Sequence, residues 1–332
     1  MAGEFGTVFM PEMVLARYDK GWSAPEFVSS DALTVHPGAH VLHYASACFE
    51  GLKAFRQQDN SIALFRAESN VTRFAQSSDL LALPAIDEAV TLGMIKDIVK
   101  RFADDVPEAP ASMYIRPTHI GTEAAIGKAA APSDTSLLYV ILSPVGDYFA
   151  SGEASLRLLL DTEGVRCGAD HGMVKGGGNY ASALKHIMRA HAEHNADQVL
   201  FCPDGLAQET GAANFILVEG GELVTKPLDE SFLHGVTRDS ILQLARDNGL
   251  TVSERELPVD ELIDRVSKPD AEAGLTGTAA VLAAVGTLIH EGREYPVGKG
   301  KPGPILRQLR DQLNAIQWGT SPDVHGWTSR LV

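Results

Sequence analysis

Lys175-Gly176-Gly177-Gly178-Asn179-Tyr180 is the densest local signal in the chain. Consecutive glycines strip side chains from the backbone and permit positive φ, which suits a segment that passes close to a flat ligand. A lysine beside them can serve as a nucleophile, since a partly desolvated amine can form a Schiff base. A flexible turn with a solvated lysine is the plain alternative, and the hexapeptide alone leaves both open. On its C-terminal side Tyr180 to His194 has helical spacing, and on its N-terminal side Leu156 to Leu160 reads as a strand.

Strands and helices keep alternating in both directions. Gln198 to Cys202 and Asn214 to Val218 are strand material around a loop that starts Pro203-Asp204-Gly205, and Leu223 to Thr225 follows the Gly220-Gly221 turn. Thr237 is the expected N-cap of a helix over Arg238 to Asp247 that Gly249 ends. A last helix covers Pro304 to Ile316, with Ile305, Leu309 and Leu313 on one stripe. Toward the N terminus, Val41 to Phe49 and Ser61 to Phe65 read as strands, and Ser69 to Leu81 and Ile86 to Phe102 as helices. Ser112 to Ile120 and Leu137 to Leu142 read as buried strands. The turn-rich stretch Ser143 to Gly152 marks a boundary. With 332 residues, the chain also exceeds the ~250–300 residues at which a single core stops growing. The expected fold is therefore α+β in two domains: a small one over 1–143, a linker over 144–153 and a larger one over 154–332.

Composition removes several classes of function. The 28 Lys and Arg against 43 Asp and Glu leave a net charge of −15, which argues against a nucleic-acid partner because phosphates need a basic face. Cys48, Cys167 and Cys202 are widely spaced and form no paired motif, so neither a disulfide framework nor a cysteine-rich zinc site is expected and a reducing cytoplasm fits. No apolar run is long enough to span a membrane, and Met1 to Met10 lacks the pattern of a signal peptide.

Other local signals are weak one by one. Glu209, in the loop Glu209-Thr-Gly-Ala-Ala-Asn214, can hydrogen-bond a protonated ring nitrogen, although an exposed loop glutamate has the same look. Gly235-Val-Thr237 precedes a helix and Thr276-Gly-Thr278-Ala-Ala follows a strand, places where amides and hydroxyls bind phosphate. Triphosphate, dinucleotide, zinc-protease and serine-hydrolase signatures are missing. His191 and His194 share a helix face, but without a carboxylate-histidine motif they are better read as solvated than as metal ligands.

The combination is more specific than its parts. His43-Tyr44, Phe49-Glu-Gly-Leu-Lys-Ala-Phe-Arg56, Leu64-Phe-Arg66 with Asn70-Val-Thr-Arg73, Tyr114-Ile-Arg-Pro117, Lys175-Gly-Gly-Gly-Asn-Tyr180, Glu209-Thr-Gly, Gly235-Val-Thr-Arg-Asp239 and Gly277-Thr-Ala-Ala280 occur in this order. Together they resemble the branched-chain amino acid aminotransferases, a fold type IV family of pyridoxal phosphate enzymes. The ending, Ile316-Gln-Trp-Gly through His325-Gly-Trp327, is similar too, so the resemblance covers nearly the whole chain.

The resemblance implies amino transfer from L-leucine, L-isoleucine or L-valine to 2-oxoglutarate, with pyridoxal 5′-phosphate attached to Lys175, which also serves as the general acid/base. It implies that Tyr180 bonds the phenolic oxygen of the ring and Glu209 the ring nitrogen. Arg73, Val236, Thr237 and Thr278 would hold the phosphate. Phe49, Tyr114 and Arg116 would line the substrate pocket, Tyr44 would arrive from a second subunit of a homodimer, and the amides of Thr278 and Ala279 would take the α-carboxylate. The larger domain would be a barrel-like, cofactor-binding one. The sequence departs from the family in Thr122-Glu-Ala-Ala-Ile-Gly-Lys128, where Lys128 replaces an apolar residue of the substrate pocket. An ammonium there either faces solvent or meets an anion, and it is expected to shift the preference toward polar or acidic substrates. The alternative is a type IV relative with changed specificity, for D-amino acids or for amine and pyruvate, or a lyase acting on aminodeoxychorismate. The Tyr114-Ile-Arg-Pro117 and Phe49-Glu-Gly51 stretches weigh against these.

Overall fold

The computed structural model describes residues 5–146 and 155–331. In chain order the elements are β1 (Glu12–Asp19), β2 (Glu26–Ser29), α1 (His40–Tyr44), β3 (Ala47–Phe49), β4 (Leu52–Arg56), β5 (Ile62–Phe65), α2 (Ala67–Leu80), α3 (Glu88–Arg101), β6 (Ser112–Gly121) and β7 (Thr135–Val145). They continue with β8 (Leu156–Asp161), α4 (Gly177–His194), β9 (Gln198–Phe201), β10 (Asn214–Glu219), β11 (Glu222–Thr225), α5 (Val236–Asp247), β12 (Thr251–Glu254), α6 (Val259–Val266), β13 (Glu272–Gly277), β14 (Val281–His290), β15 (Arg293–Pro296), α7 (Pro304–Gln317) and β16 (Thr328–Arg330). The architecture is α+β with two sheets. Among the described residues no helix is long and apolar enough to cross a membrane.

The chain divides into two compact units. One takes Met1–Asp147, Val174–Gly177 and Ile316–Val332, and the other Tyr148–Met173 and Gly178–Ala315. The short excursion that carries Lys175 and the C-terminal segment thus group with the N-terminal elements. The boundary stretch over 144–153 lies outside the described residues from position 147 on.

In the first unit the strand order is β16-β5-β4-β6-β7-β1-β2, with β3 also paired to β6. The long antiparallel pair β6·β7 runs in register from Ser112↔Val145 to Gly121↔Ser136. One sheet face, with Leu52, Leu64, Met113, Ile115 and Val140, packs on Val71 and Phe74 of α2 and on Met94, Ile95 and Ile98 of α3. Asp87 caps α3 by accepting from the Val90 N–H, and Lys100 and Arg101 close its last turn, where cations suit the helix dipole.

In the second unit the order is β12-β11-β10-β13-β14-β8-β9, with β15 on β14. Alternate residues of one strand serve opposite faces. Leu158 and Leu160 join the core under α6, whereas Leu159 joins Val199 and Phe201 under Ala183 and Ala190 of α4. Gly220 and Gly221, at φ +60° and +78°, make the tight β10–β11 turn that needs two left-handed residues.

Three local expectations change. Residues 40–44 form a helix where strand spacing is read, because the His40 N–H donates to the Glu123 carbonyl and Ala45 ends the turn at φ +52°; tertiary contacts override β propensity there. Helix α4 starts at Gly177, three residues before the predicted Tyr180. Gly235 occupies the N-cap position of α5, so Thr237 is already inside the helix.

Candidate active site

Lys175 is held by its backbone. Its N–H donates to Ser77 Oγ of α2 (3.1 Å), and its carbonyl accepts from the Phe49 N–H of β3 (2.9 Å). Gly176 bridges Cys48 on the same strand. A Cβ at Gly176 would sit 3.1 Å from the Ala47 carbonyl, so close approach to β3 is what favours a glycine here. None of the three consecutive glycines has positive φ. The Lys175 amine lies 5.3 Å from the Phe49 ring centroid.

Arg116 of β6 reaches the same ring. Its guanidinium stands 4.4 Å from the Phe49 centroid and 5.2 Å from that of Tyr114, and its Nη2 donates to Tyr114 Oη (2.8 Å). Arg116 Nε is buried and has no hydrogen-bond partner among the described residues. That is costly for a cation's donor unless a ligand acceptor meets it. A Cβ at Gly51 would fall 2.0 Å from Tyr114 Oη, so the glycine makes room for that hydroxyl. Phe5 packs edge-on against Tyr114 at 5.0 Å, a contact that no sequence pattern announces. Between Phe49 and Gly51, Glu50 is 1% exposed and clamps Arg73 of α2, whose Nε and Nη2 donate to its two oxygens at 2.7 and 2.8 Å.

Tyr44 and Lys128 form a separate group in this unit. Tyr44 Oη donates to the Ile126 carbonyl, and Lys128 Nζ contacts Glu123 (2.8 Å) and Asp134 (2.5 Å), so its charge meets two anions. His40 Nε2 lies within hydrogen-bond range of the Lys128 and Ala131 carbonyls and pins the same loop.

The second unit holds the remaining candidates. Glu209 is buried, and Arg166 Nε lies 2.7 Å from its Oε1. The Leu233 N–H donates to Oε1 (3.0 Å) and Asn214 Nδ2 to Oε2 (3.1 Å). Val236 and Thr237 are the first residues of α5, whose glycine cap supplies no side-chain hydrogen bond to the positive end of the helix. Thr278 and Ala279 lie in the turn between β13 and β14. Val281 follows at φ +61°, an uncommon conformation for a β-branched residue. Tyr180 stands in the first turn of α4, where Asn179 Nδ2 donates to the His171 carbonyl (2.7 Å).

Arg166, Glu50, Ser77 and Asn214 carry no role in the sequence reading. Each works through a buried contact with a residue distant in sequence or with a backbone group, and only Glu50 and Asn214 fall inside recognised motifs. Among the described residues no cluster of histidine, cysteine and carboxylate could hold a metal.

The amino-transferase class IV family model matches residues 47–285. The chain is 39% identical to the branched-chain-amino-acid aminotransferase 2 of Bacillus subtilis, over 98% of this chain and 92% of that one. It is 38% identical to the branched-chain-amino-acid aminotransferase of Mycolicibacterium smegmatis, over 98% and 92%. Its fold is similar to the crystal structure of a T.th. branched-chain amino acid aminotransferase with pyridoxamine 5′-phosphate. There the TM-score is 0.80 at 27% identity, covering 96% of this chain and 98% of that one.

Proposed function

We infer that this chain, which belongs to the branched-chain amino acid aminotransferases of amino-transferase class IV, moves the amino group of L-leucine, L-isoleucine or L-valine to 2-oxoglutarate. The products are the branched-chain 2-oxo acid and glutamate, and the reaction is reversible. Its cofactor under this reading is pyridoxal 5′-phosphate.

The donor set suits that group. A phosphorylated pyridine needs an anion at its ring nitrogen, an amine at its carbonyl carbon, and cations or amide donors at its phosphate. Glu209 is a buried carboxylate beside a buried guanidinium, which favours its charged form. Lys175 is an amine on a clamped backbone, and α5 starts on a glycine.

When bound, the cofactor supplies an electron sink for the pair left on the substrate Cα. Lys175 Nζ would hold the cofactor and, as the amine at the reacting centre, would move the proton at the substrate Cα. Glu209 would hold a proton at the ring nitrogen, and Tyr180 would bond the phenolic oxygen. Arg73 in the first unit, oriented by Glu50, and Val236, Thr237 and Thr278 in the second are the residues that would offer donors to the phosphate. The amides of Thr278 and Ala279 take the α-carboxylate. Phe49, Tyr114 and Arg116 face the side chain, the ring wall serving leucine and the guanidinium the γ-carboxylate of 2-oxoglutarate. Tyr44, close to the exposed Leu42 and Ile126, would join the pocket of a second copy in a homodimer. Lys128 acts on side-chain preference through the loop that it holds.

The observation that carries this reading is Arg116: a guanidinium with a buried, unpartnered Nε, stacked on the same Phe49 ring that the Lys175 amine overlies. A charged hydrogen bond is worth ~1.5–3 kcal/mol, so Arg116→Met is expected to raise KM for 2-oxoglutarate about 10- to 100-fold. KM for leucine should change less than about threefold, because its side chain makes no ionic contact. Parallel losses for the two substrates would overturn the assignment.

A further inference from the structure

We propose that Asn214 is a positioning residue that fixes the distance between the ring-nitrogen carboxylate Glu209 and the phosphate-binding start of α5. The proposal rests on the cofactor reading above and adds to it a residue that touches neither end of the ligand.

Asn214 is 4% exposed and opens β10. Its Nδ2 donates both to Glu209 Oε2 (3.1 Å) and to the Leu233 carbonyl (2.8 Å). Its Oδ1 presses on Gly235, where a Cβ would lie 2.0 Å away. One amide therefore touches the carboxylate, the loop that enters α5 and the N-cap glycine of that helix. On its main chain Asn214 bridges Glu209 and stands in register with Thr276 of β13, the strand that leads to Thr278 and Ala279.

The surroundings make this contact a joint between two bodies that are each rigid. Thr210 staples the Glu209–Asn214 turn, its N–H and Oγ1 both donating to the Ala213 carbonyl at 3.0 Å. The loop before α5 is anchored by Phe232, which has Lys226 Nζ and Arg238 Cζ each 5.8 Å from its ring, and by Arg238 Nη2 donating to the Lys226 carbonyl (2.6 Å). Without Asn214, Glu209 keeps Arg166, and the Leu233 N–H stays as one tie from the carboxylate to the loop while the two contacts of the amide are lost. Losing the amide thus leaves each end built while loosening their spacing. A rigid ligand that must reach both ends gains affinity from a preset spacing; its separate halves gain none.

The test titrates apo-protein with three probes: pyridoxamine 5′-phosphate, pyridoxamine and inorganic phosphate. In Asn214→Ala the whole ligand is expected to bind about 10- to 100-fold more weakly, with each half changed less than about threefold. Gly235→Ala attacks the same joint from its other side and should give the same pattern, which keeps the test decisive if one variant fails to fold. An unchanged affinity for the whole ligand, or a parallel fall for all three probes, overturns the proposal. Failure of the unaltered protein to bind pyridoxamine 5′-phosphate overturns the cofactor reading instead.

Discussion

Glu209 and Arg166 are each 3% exposed at their side chains and lie 2.7 Å apart. Two buried charges hold each other, and removing one leaves the other stranded at several kcal/mol. Arg166→Met is expected to lower the unfolding free energy by about 3 kcal/mol, measured by urea denaturation. Arg17→Met should shift it by less than about 1 kcal/mol, because Arg17 and its partner Glu26 are both 55% exposed. Equal shifts would mean that burial is not what gives the Arg166 pair its weight. Lys175 and Glu209 stand out in the sequence as candidates because each sits in a short motif with its own chemical logic. Arg166 is not, since nothing around it in the chain reports the carboxylate that folding brings beside it. Glu50 is a mixed case: its place in the Phe49-Glu-Gly51 motif is visible, but its clamp on Arg73 comes only with the packing of α2.

At the scale of elements, α2 joins the Lys175 backbone and the strand β3 beside it to the core. Arg73 and Ser77 stand one turn apart on it, the first on Glu50 and the second on the Lys175 backbone. Ser78 Oγ links Cys48 Sγ (3.3 Å) to His119 Nδ1 (3.0 Å) of β6, and burial pushes the Cys48 thiol up to about 12. His119 is fully buried beside Trp22 and Phe74, and desolvation pulls its pKa from 6.5 down to about 4. The unfolded chain therefore binds a proton near pH 6.5 that the folded chain refuses until about pH 4. Stability is unaffected by this group above that window and falls as the pH drops through it, by about 3 kcal/mol in all. His119→Asn should flatten the fall in urea midpoints between pH 7 and 4.5; an identical slope in both proteins would contradict the burial argument. Periodicity locates α2 and α3, which show an apolar stripe to a sheet, and the span of α7, whose buried stripe is Leu306, Leu309 and Leu313 and not Ile305. It misses α1 and the true start of α4, where hydrogen bonds from residues remote in sequence set the backbone.

Across the whole molecule, the net charge of −15 opposes the approach of a phosphate and of every carboxylate substrate named here, so local cations must reverse the field. Arg116, with its Nε buried, can act at short range in low dielectric, whereas the charge of Arg73 is already balanced by Glu50. The α+β class is readable from alternating strand and helix patterns, and the family from motifs in a fixed order. The assignment of residues 174–177 and 316–332 to the N-terminal unit is not readable, because strand pairing such as β16 on β5 joins segments at opposite ends of the chain. The central claim is amino transfer through Lys175 on bound pyridoxal phosphate, and visible absorption during single turnover tests it most directly. The reconstituted protein should show a yellow band that L-leucine, L-isoleucine and L-valine discharge and 2-oxoglutarate restores, and Lys175→Ala should lack it. A protein that stays colourless with the cofactor, or a band that D-amino acids or amines discharge and L-leucine does not, would contradict the account.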